Sequence, residues 1–207
     1  MLNIALPKGR LGDKILSLLC DTGYGTVAAD KNDRRLIFEN ADSTLRYFLV
    51  KPADVGIYVE YGAADVGVVG KDILLEHGHD VYELLDLKRG KCKMAVAAKE
   101  DFYEDKDRPL RVATKFANIA KEYYASKNRE IEIVRLSGSI ELAPILNMAD
   151  VIVDIVETGT TLKENNLKVI EDIVPISARF IANKAAYNFK NAEITEMTRR
   201  LKEVTDD

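Results

Sequence analysis

At 207 residues the chain is long enough for one large or two small domains, with a real hydrophobic core in either case. Hydrophobic residues make up 47% and charged residues 31%, the balance of a soluble globular protein, and a net charge of −4 argues against nucleic-acid binding through a basic surface. The opening Met1-Leu-Asn-Ile-Ala-Leu-Pro-Lys8 lacks the basic start and apolar length of an export signal, and no segment reaches membrane-spanning length, so a cytoplasmic location is expected.

Short apolar strands alternate with amphipathic helices, the pattern of an α/β protein. Residues 2–6 read as a first strand, and 11–19 as a helix with Leu11, Ile15, Leu18 and Leu19 on one face. Strands follow at 34–38 and 46–50. Pro52, favoured in a first helical turn, opens a helix to about Gly62. Residues 65–70 form a buried strand, and a helix begins near Lys71. Residues 81–87 and 94–99 read as long strands passing from one half to the other. The second half repeats the theme, with strands at 110–114, 131–136 and 151–156 and helices at 117–126 and 140–147. Residues 169–180 read as a further strand region. A last helix at 193–204 turns Ile194, Met197, Leu201 and Val204 inward. Cys20 and Cys92 are far apart among apolar neighbours and are expected as reduced core thiols. His77 and His79 lie at a glycine-broken helix end with no third ligand nearby, and are expected to face solvent.

Gly62-Ala-Ala-Asp-Val-Gly-Val-Val-Gly70 and Asn147-Met-Ala-Asp-Val-Ile-Val-Asp-Ile155 both run from helix end through Ala-Asp into a buried strand. Two such units suggest two similarly built α/β lobes. Ligands of open α/β sheets bind outside the carboxyl ends of the strands.

The strongest chemical signal is Val151-Ile-Val-Asp-Ile-Val-Glu-Thr-Gly-Thr-Thr-Leu-Lys163: a buried strand, two carboxylates, a Thr-Gly-Thr-Thr turn and a helix start. Backbone N–H groups of the turn and helix start, with the hydroxyls of Thr158, Thr160 and Thr161, suit a phosphate monoester. Asp154 and Glu157 suit two ribose hydroxyls or a magnesium ion, because ionised carboxylates only accept hydrogen bonds and hard cations prefer oxygen. Phosphate plus diol at that spacing is the footprint of a 5-phosphoribosyl group. An ordinary junction with a threonine N-cap is the alternative.

Lys8-Gly9-Arg10 sets two cations around a glycine at the start of a helix, against the helix dipole. An anionic ligand reverses that cost. Arg34, Arg35 and Lys51 add positive charge at strand ends, although each also reads as solvated surface. No Walker A loop is present, and the glycines of Val66-Gly-Val-Val-Gly-Lys-Asp72 are a weak nucleotide signal alone. Ser137-Gly-Ser-Ile-Glu141 offers hydroxyls and a carboxylate at another helix start, or simply capping groups.

Five segments in order, Pro7-Lys-Gly-Arg-Leu11, Tyr61-Gly-Ala-Ala-Asp-Val-Gly-Val-Val-Gly-Lys-Asp72, Ala113-Thr-Lys-Phe116, Gly138-Ser-Ile-Glu-Leu-Ala-Pro144 and Asp154-Ile-Val-Glu-Thr-Gly-Thr-Thr-Leu-Lys-Glu-Asn-Asn166, resemble the ATP phosphoribosyltransferase family, which performs the first step of histidine biosynthesis. The resemblance spans nearly the whole chain. It implies a two-lobed α/β fold similar to type II periplasmic binding proteins, with the active site in the inter-lobe cleft. Lobe I would comprise residues 1–90 plus 180–207 on the nucleotide side, and lobe II residues 91–179 with the phosphoribosyl pyrophosphate loop. The length resembles the short form of the family, which lacks a C-terminal regulatory domain. That form works in a hetero-oligomer with a regulatory subunit related to histidyl-tRNA synthetase. Mg2+ is the implied cofactor.

The resemblance implies Lys51, Lys8 and Arg10 as catalytic cations. It implies Asp154, Glu157, Thr158, Gly159, Thr160, Thr161, Leu162 and Glu141 for phosphoribosyl pyrophosphate, with Asp154 reaching the metal only through substrate. Lys8, Gly9, Arg10, Arg34, Asp65, Gly67 and Gly70 are implied for ATP. The chain departs from the family pattern at Lys51, where arginine is usual, and at Gly56-Ile57, where Pro-Thr is usual. Lysine keeps the charge but lacks the planar fork that grips phosphate bidentately. Two other readings stay open: a non-enzymatic solute-binding module of the same fold, and a phosphoribosyltransferase for another base.

Overall fold

The structure is a computed structural model that describes residues 1–25 and 35–206. In chain order it forms β1 (Leu2–Pro7), α1 (Arg10–Asp21), β2 (Ile37–Glu39), β3 (Leu45–Val50), a 3-10 turn at Pro52–Asp54, α2 (Val55–Glu60), β4 (Val66–Gly70), α3 (Lys71–His77) and β5 (Tyr82–Asp86). Next come β6 (Cys92–Lys99), β7 (Leu110–Thr114), α4 (Ala117–Ser126), β8 (Ile131–Arg135), α5 (Leu142–Ile145), β9 (Val151–Val156), α6 (Thr160–Glu164) and β10 (Leu167–Ile176). The chain ends with β11 (Ala178–Ala182), α7 (Lys184–Phe189) and α8 (Asn191–Asp206). Two compact units result: unit 1 is Met1–Gly90 with Ser177–Asp207, and unit 2 is Lys91–Ile176.

Unit 1 is built on a sheet of order β2-β3-β1-β4-β11-β5. β1 runs parallel to both β3 and β4, with Pro7 opposite Val50 and Ala5 opposite Gly67. Parallel strands are stable when both faces are covered, and the side-chain alternation of β1 provides for this. Leu2, Ile4 and Leu6 pack with Ile15, Leu18 and Leu19 of α1 and with Ile194, Met197 and Leu201 of α8. Ala5 turns to the other face, onto Val55 and Val59 of α2.

Unit 2 has the order β10-β6-β9-β7-β8. β7 is parallel to β8 and β9, while β6 is antiparallel to β9 and β10. Ala95, Ala97 and Ala113 keep one face shallow beside Ile152 of β9 and Leu167 of β10, and Ile140, Ala143 and Leu162 close over it.

Several local expectations change. The strand region expected at 169–180 is two strands in different sheets, parted at Ser177. The helix expected at 140–147 shrinks to α5, because Pro144 has no N–H to continue it and Asn147 turns left-handed at φ 58°. Cys20 is exposed, off the face of α1 that holds Ile15 and Leu19, and Cys92 is half-buried; both are free thiols, not core residues. His79 does not face solvent: its side chain is only 6% exposed. No helix among the described residues is long and apolar enough to cross a membrane.

One carboxylate, its side chain 9% exposed, ties unit 2 together at the amino end of β9. Asp150 accepts from Arg108 Nη1 and Nη2 at 2.8 and 3.0 Å, from Arg111 Nη2 at 2.8 Å and from the Arg111 N–H at 3.0 Å. The Arg108 guanidinium above all, then Arg111, holds this carboxyl well below the usual carboxylate range. A depressed folded value means the contribution is complete above the ordinary aspartate range near pH 4 and lost as pH falls through the folded value. Asp150→Asn is therefore expected to destabilise unit 2 by about 1–3 kcal/mol at pH 7, less than a fully buried pair because both arginines are partly exposed. Thermal melts of variant and parent should converge progressively below about pH 4.

Candidate active site

Parallel strands bring their carboxyl ends to one edge. In unit 1 that edge carries Lys8 after β1, Lys51 after β3 and Gly70 at the end of β4. The Lys8 N–H donates to the Val50 carbonyl at 2.8 Å, so Lys8 and Lys51 leave the sheet side by side. Both are exposed, and neither forms an ion pair among the described residues.

Gly9 connects β1 to α1 at φ 89° and ψ −164°, a conformation open only to glycine. No side chain caps α1. A Cβ at Gly12 would stand 1.9 Å from the Pro7 carbonyl oxygen, so the first turn of α1 abuts the end of β1. A cavity of about 450 Å3 opens here, lined by Lys8, Gly9, Gly12, Asp13 and Arg35 among others. That volume suits a small molecule. Arg10 is exposed at the same helix start, while Arg34 lies outside the described residues.

Two of the residues expected to bind ATP lie elsewhere. Asp65 precedes β4, at the amino edge of the sheet, and is buried; it accepts from the Asn3 N–H at 2.7 Å and pairs with Lys190 Nζ at 2.7 Å. It is a structural tie. Gly67 sits within β4, where a Cβ would stand 2.8 Å from Val59 Cγ2 and 3.0 Å from the Ala5 oxygen. Its smallness seats α2 on the sheet. Gly70 does stay at the carboxyl edge, where a Cβ would strike the Asp72 carboxylate at 2.1 Å.

Unit 2 repeats the arrangement with different chemistry. Its carboxyl edge carries Lys115 after β7, Ser137 to Glu141 after β8, and Glu157 to Thr161 after β9. Gly159 is left-handed at φ 76° and ψ 2°. The Thr158 and Thr160 hydroxyls converge at 3.0 Å, and Thr161 is exposed beside them. The first N–H groups of α6 have no acceptor within the helix. Leu162, expected at the ligand, instead anchors the loop: its side chain is buried in the unit 2 core, leaving only its backbone for a ligand. Asp154 is half-buried in β9, two residues inside the strand end, and its Oδ1 accepts from the Ile155 N–H at 2.8 Å. Glu157 is exposed at the edge. Glu141 precedes α5 without forming a side-chain cap, so capping does not explain it.

Lys115 was missed. Thr114 is fully buried, donating to the Val153 carbonyl at 2.6 Å and accepting from the Phe116 N–H at 2.8 Å. This locked turn presents Lys115, whose Nζ stands 4.7 Å from the Phe116 ring centroid. The readable signal was the one shared with Lys8 and Lys51: a cation directly after an apolar strand.

Among the described residues no three His, Cys, Asp or Glu side chains gather as a metal site. Asp154 and Glu157 alone suit a magnesium ion that arrives on substrate phosphates and keeps most of its other ligands. A larger cavity, about 560 Å3, opens at the opposite, amino edge of unit 2 between Leu110 and Val151. Three of its four cations are already paired, Arg108 with Asp150, Arg129 with Glu104 and Lys127 with Glu171, and Lys106 is the fourth.

Two α/β units with ligand-type loops on their carboxyl edges define a protein of the type II periplasmic-binding-protein fold. The periplasmic aliphatic sulphonate binding protein SsuA of Escherichia coli shares that fold alone, with a TM-score of 0.61 at 12% identity over 99% of this chain and 68% of that one. Residues 51–203 match the family model described as HisG, ATP phosphoribosyltransferase. The ATP phosphoribosyltransferase of Brachyspira hyodysenteriae is 58% identical over 99% of this chain and 100% of its own length. That of Clostridioides difficile is 50% identical over 98% of each. A chain of the ATP phosphoribosyl transferase (HisG:HisZ) complex from Thermotoga maritima has a TM-score of 0.85 at 35% identity, covering 100% of this chain and 99% of that one. The chain belongs to the ATP phosphoribosyltransferase family.

Gly67→Ala separates packing from binding. It is expected to cost about 1–3 kcal/mol of stability through overpacking against Val59 and Val55, seen in thermal melts, with KM for ATP unchanged in the folded fraction.

Proposed function

We propose that the chain joins N1 of the adenine of ATP to C1 of 5-phosphoribosyl 1-pyrophosphate, the first step of histidine biosynthesis. The observation that carries this reading is the loop after β9, where two carboxylates precede a left-handed glycine among converging threonine hydroxyls, in a chain of this family. N1 is unprotonated near neutral pH and attacks through its own lone pair, so no general base is needed. The C1–oxygen bond breaks with inversion, and its electron pair leaves with pyrophosphate. The barrier lies in bringing two polyanions together and in the positive charge that develops at C1. Orientation and fixed charge supply the catalysis.

Unit 1 takes the nucleotide and unit 2 the phosphoribosyl group. Lys51, Lys8 and Arg10 neutralise the departing pyrophosphate and the ATP phosphates. The Thr158-Gly-Thr-Thr161 turn holds the 5-phosphate, Asp154 and Glu157 accept from the ribose hydroxyls, and Lys115 adds positive charge on the same side. A magnesium ion would be held through the substrate phosphates, with Asp154 reaching it only through substrate, and would lower their charge. The working enzyme is cytoplasmic and pairs with a regulatory subunit of the HisZ kind, related to histidyl-tRNA synthetase. The solute-binding reading rests only on the fold shared with SsuA, at 12% identity.

Pyrophosphate release from ATP and phosphoribosyl pyrophosphate, with and without the regulatory subunit, tests the reaction; adenine and orotate as acceptors should give none. Lys51→Ala is expected to lower kcat about ten-fold or more, equivalent to about 1.4 kcal/mol in the transition state. Undiminished turnover would remove Lys51 from the site. In Gly159→Val the Cβ meets nothing nearer than Val156 Cγ1 at 3.9 Å, so the first added carbon fits and folding bears the left-handed strain, about 1–2 kcal/mol. KM for phosphoribosyl pyrophosphate should rise far more than that strain explains, and an unchanged KM would reject the phosphate assignment.

A further inference from the structure

The loop after α3 sends one imidazole into the interior of unit 1. His79 Nδ1 stands 2.9 Å from Glu60 Oε2, and its Nε2 is buried with no hydrogen-bond partner among the described residues. Packing alone explains this poorly, since a leucine would fill the space without stranding a polar nitrogen. The ring lies against Gly56 of α2: an ideal Cβ there would stand 2.2 Å from Cδ2, 2.5 Å from Nε2 and 2.9 Å from Cγ. The imidazole thus occupies the volume that any side chain at position 56 would need.

The contacts around His79 all fix one short helix. Glu60 Oε1 also accepts from the Asp80 N–H at 3.2 Å, and Asn183 Nδ2 donates to the Val59 and Glu60 carbonyls at 2.9 and 3.1 Å. α2 is only six residues long. Its other end continues into the Pro52–Asp54 turn, which closes when the Asp54 N–H donates to the Lys51 carbonyl at 2.9 Å. Whatever sets the seat of α2 sets the place of Lys51.

We propose that His79 is a positioning residue for Lys51, its ring wedged on Gly56 to fix α2, and that position 56 is glycine because the imidazole takes its space. The inference rests on the role given to Lys51 above. Its test is a set of variant cycles on the full chain with its regulatory subunit, read by pyrophosphate release and thermal melts.

His79→Ala is expected to lower kcat about five-fold or more with both KM values within about two-fold, the mark of an interaction felt in the transition state. In the Lys51→Ala background the same change should cost nothing further. Gly56→Ala should also slow turnover, and adding His79→Ala to it should recover part of the loss, because the clash is gone. His79→Asn keeps an amide nitrogen near the Nδ1 position and should restore most of kcat; with the Gly56→Ala/His79→Ala pair it serves if His79→Ala does not fold. Wild-type kcat in His79→Ala beside a slow Lys51→Ala overturns the link alone, as does an equal loss with and without Lys51. Full activity in Lys51→Ala overturns the role of Lys51 and the link with it.

Discussion

Parallel pairing of β1 with both β3 and β4 is the constraint on which unit 1 depends. Because the three strands run the same way, Lys8, Lys51 and Gly70 emerge on one edge although 62 positions separate the first from the last. The parallel run of β7, β8 and β9 does the same in unit 2 for Lys115, Glu141 and the Gly159 loop. The unit 1 edge could not form without burial on both sheet faces, so the core residues Ile15, Met197 and Val59 are prerequisites of the chemistry.

The two ends of the units handle charge differently. At the amino end of unit 2, Arg108 and Arg111 are both committed to the Asp150 carboxylate and hold the loops there in place. At the carboxyl end of unit 1, Lys8 and Lys51 are exposed and unpaired among the described residues. A chain of net charge −4 can therefore bind polyanions by keeping a few cations uncommitted at one edge.

Much of this was legible because it follows from periodicity. Leu2, Ile4 and Leu6 alternate, and Ile194, Met197 and Leu201 recur at helical spacing, so the covered sheet could be read directly. The Thr158 to Thr161 turn was legible as a strand-turn-helix junction with a left-handed glycine between converging hydroxyls. What failed were residues whose motif is shared but whose role is packing. Asp65 and Gly67 lie in a glycine-rich segment that looks like a nucleotide turn, yet one ties β4 to Asn3 and the other admits Val59. Leu162 sits within the loop motif but points into the core. His79 was misread because its burial depends on Gly56, a residue 23 positions away, and no local pattern reports that contact.

The place of β11 has a consequence for synthesis. It lies between β4 and β5 and pairs with both, yet it is encoded after all of unit 2. On the ribosome, β5 therefore waits without its sheet neighbour until residues 178–182 have been made. The inserted unit, continuous from Lys91 to Ile176, is complete before that point. The guest can thus finish folding while its host is still open, which reverses the usual order in which the amino-terminal domain matures first.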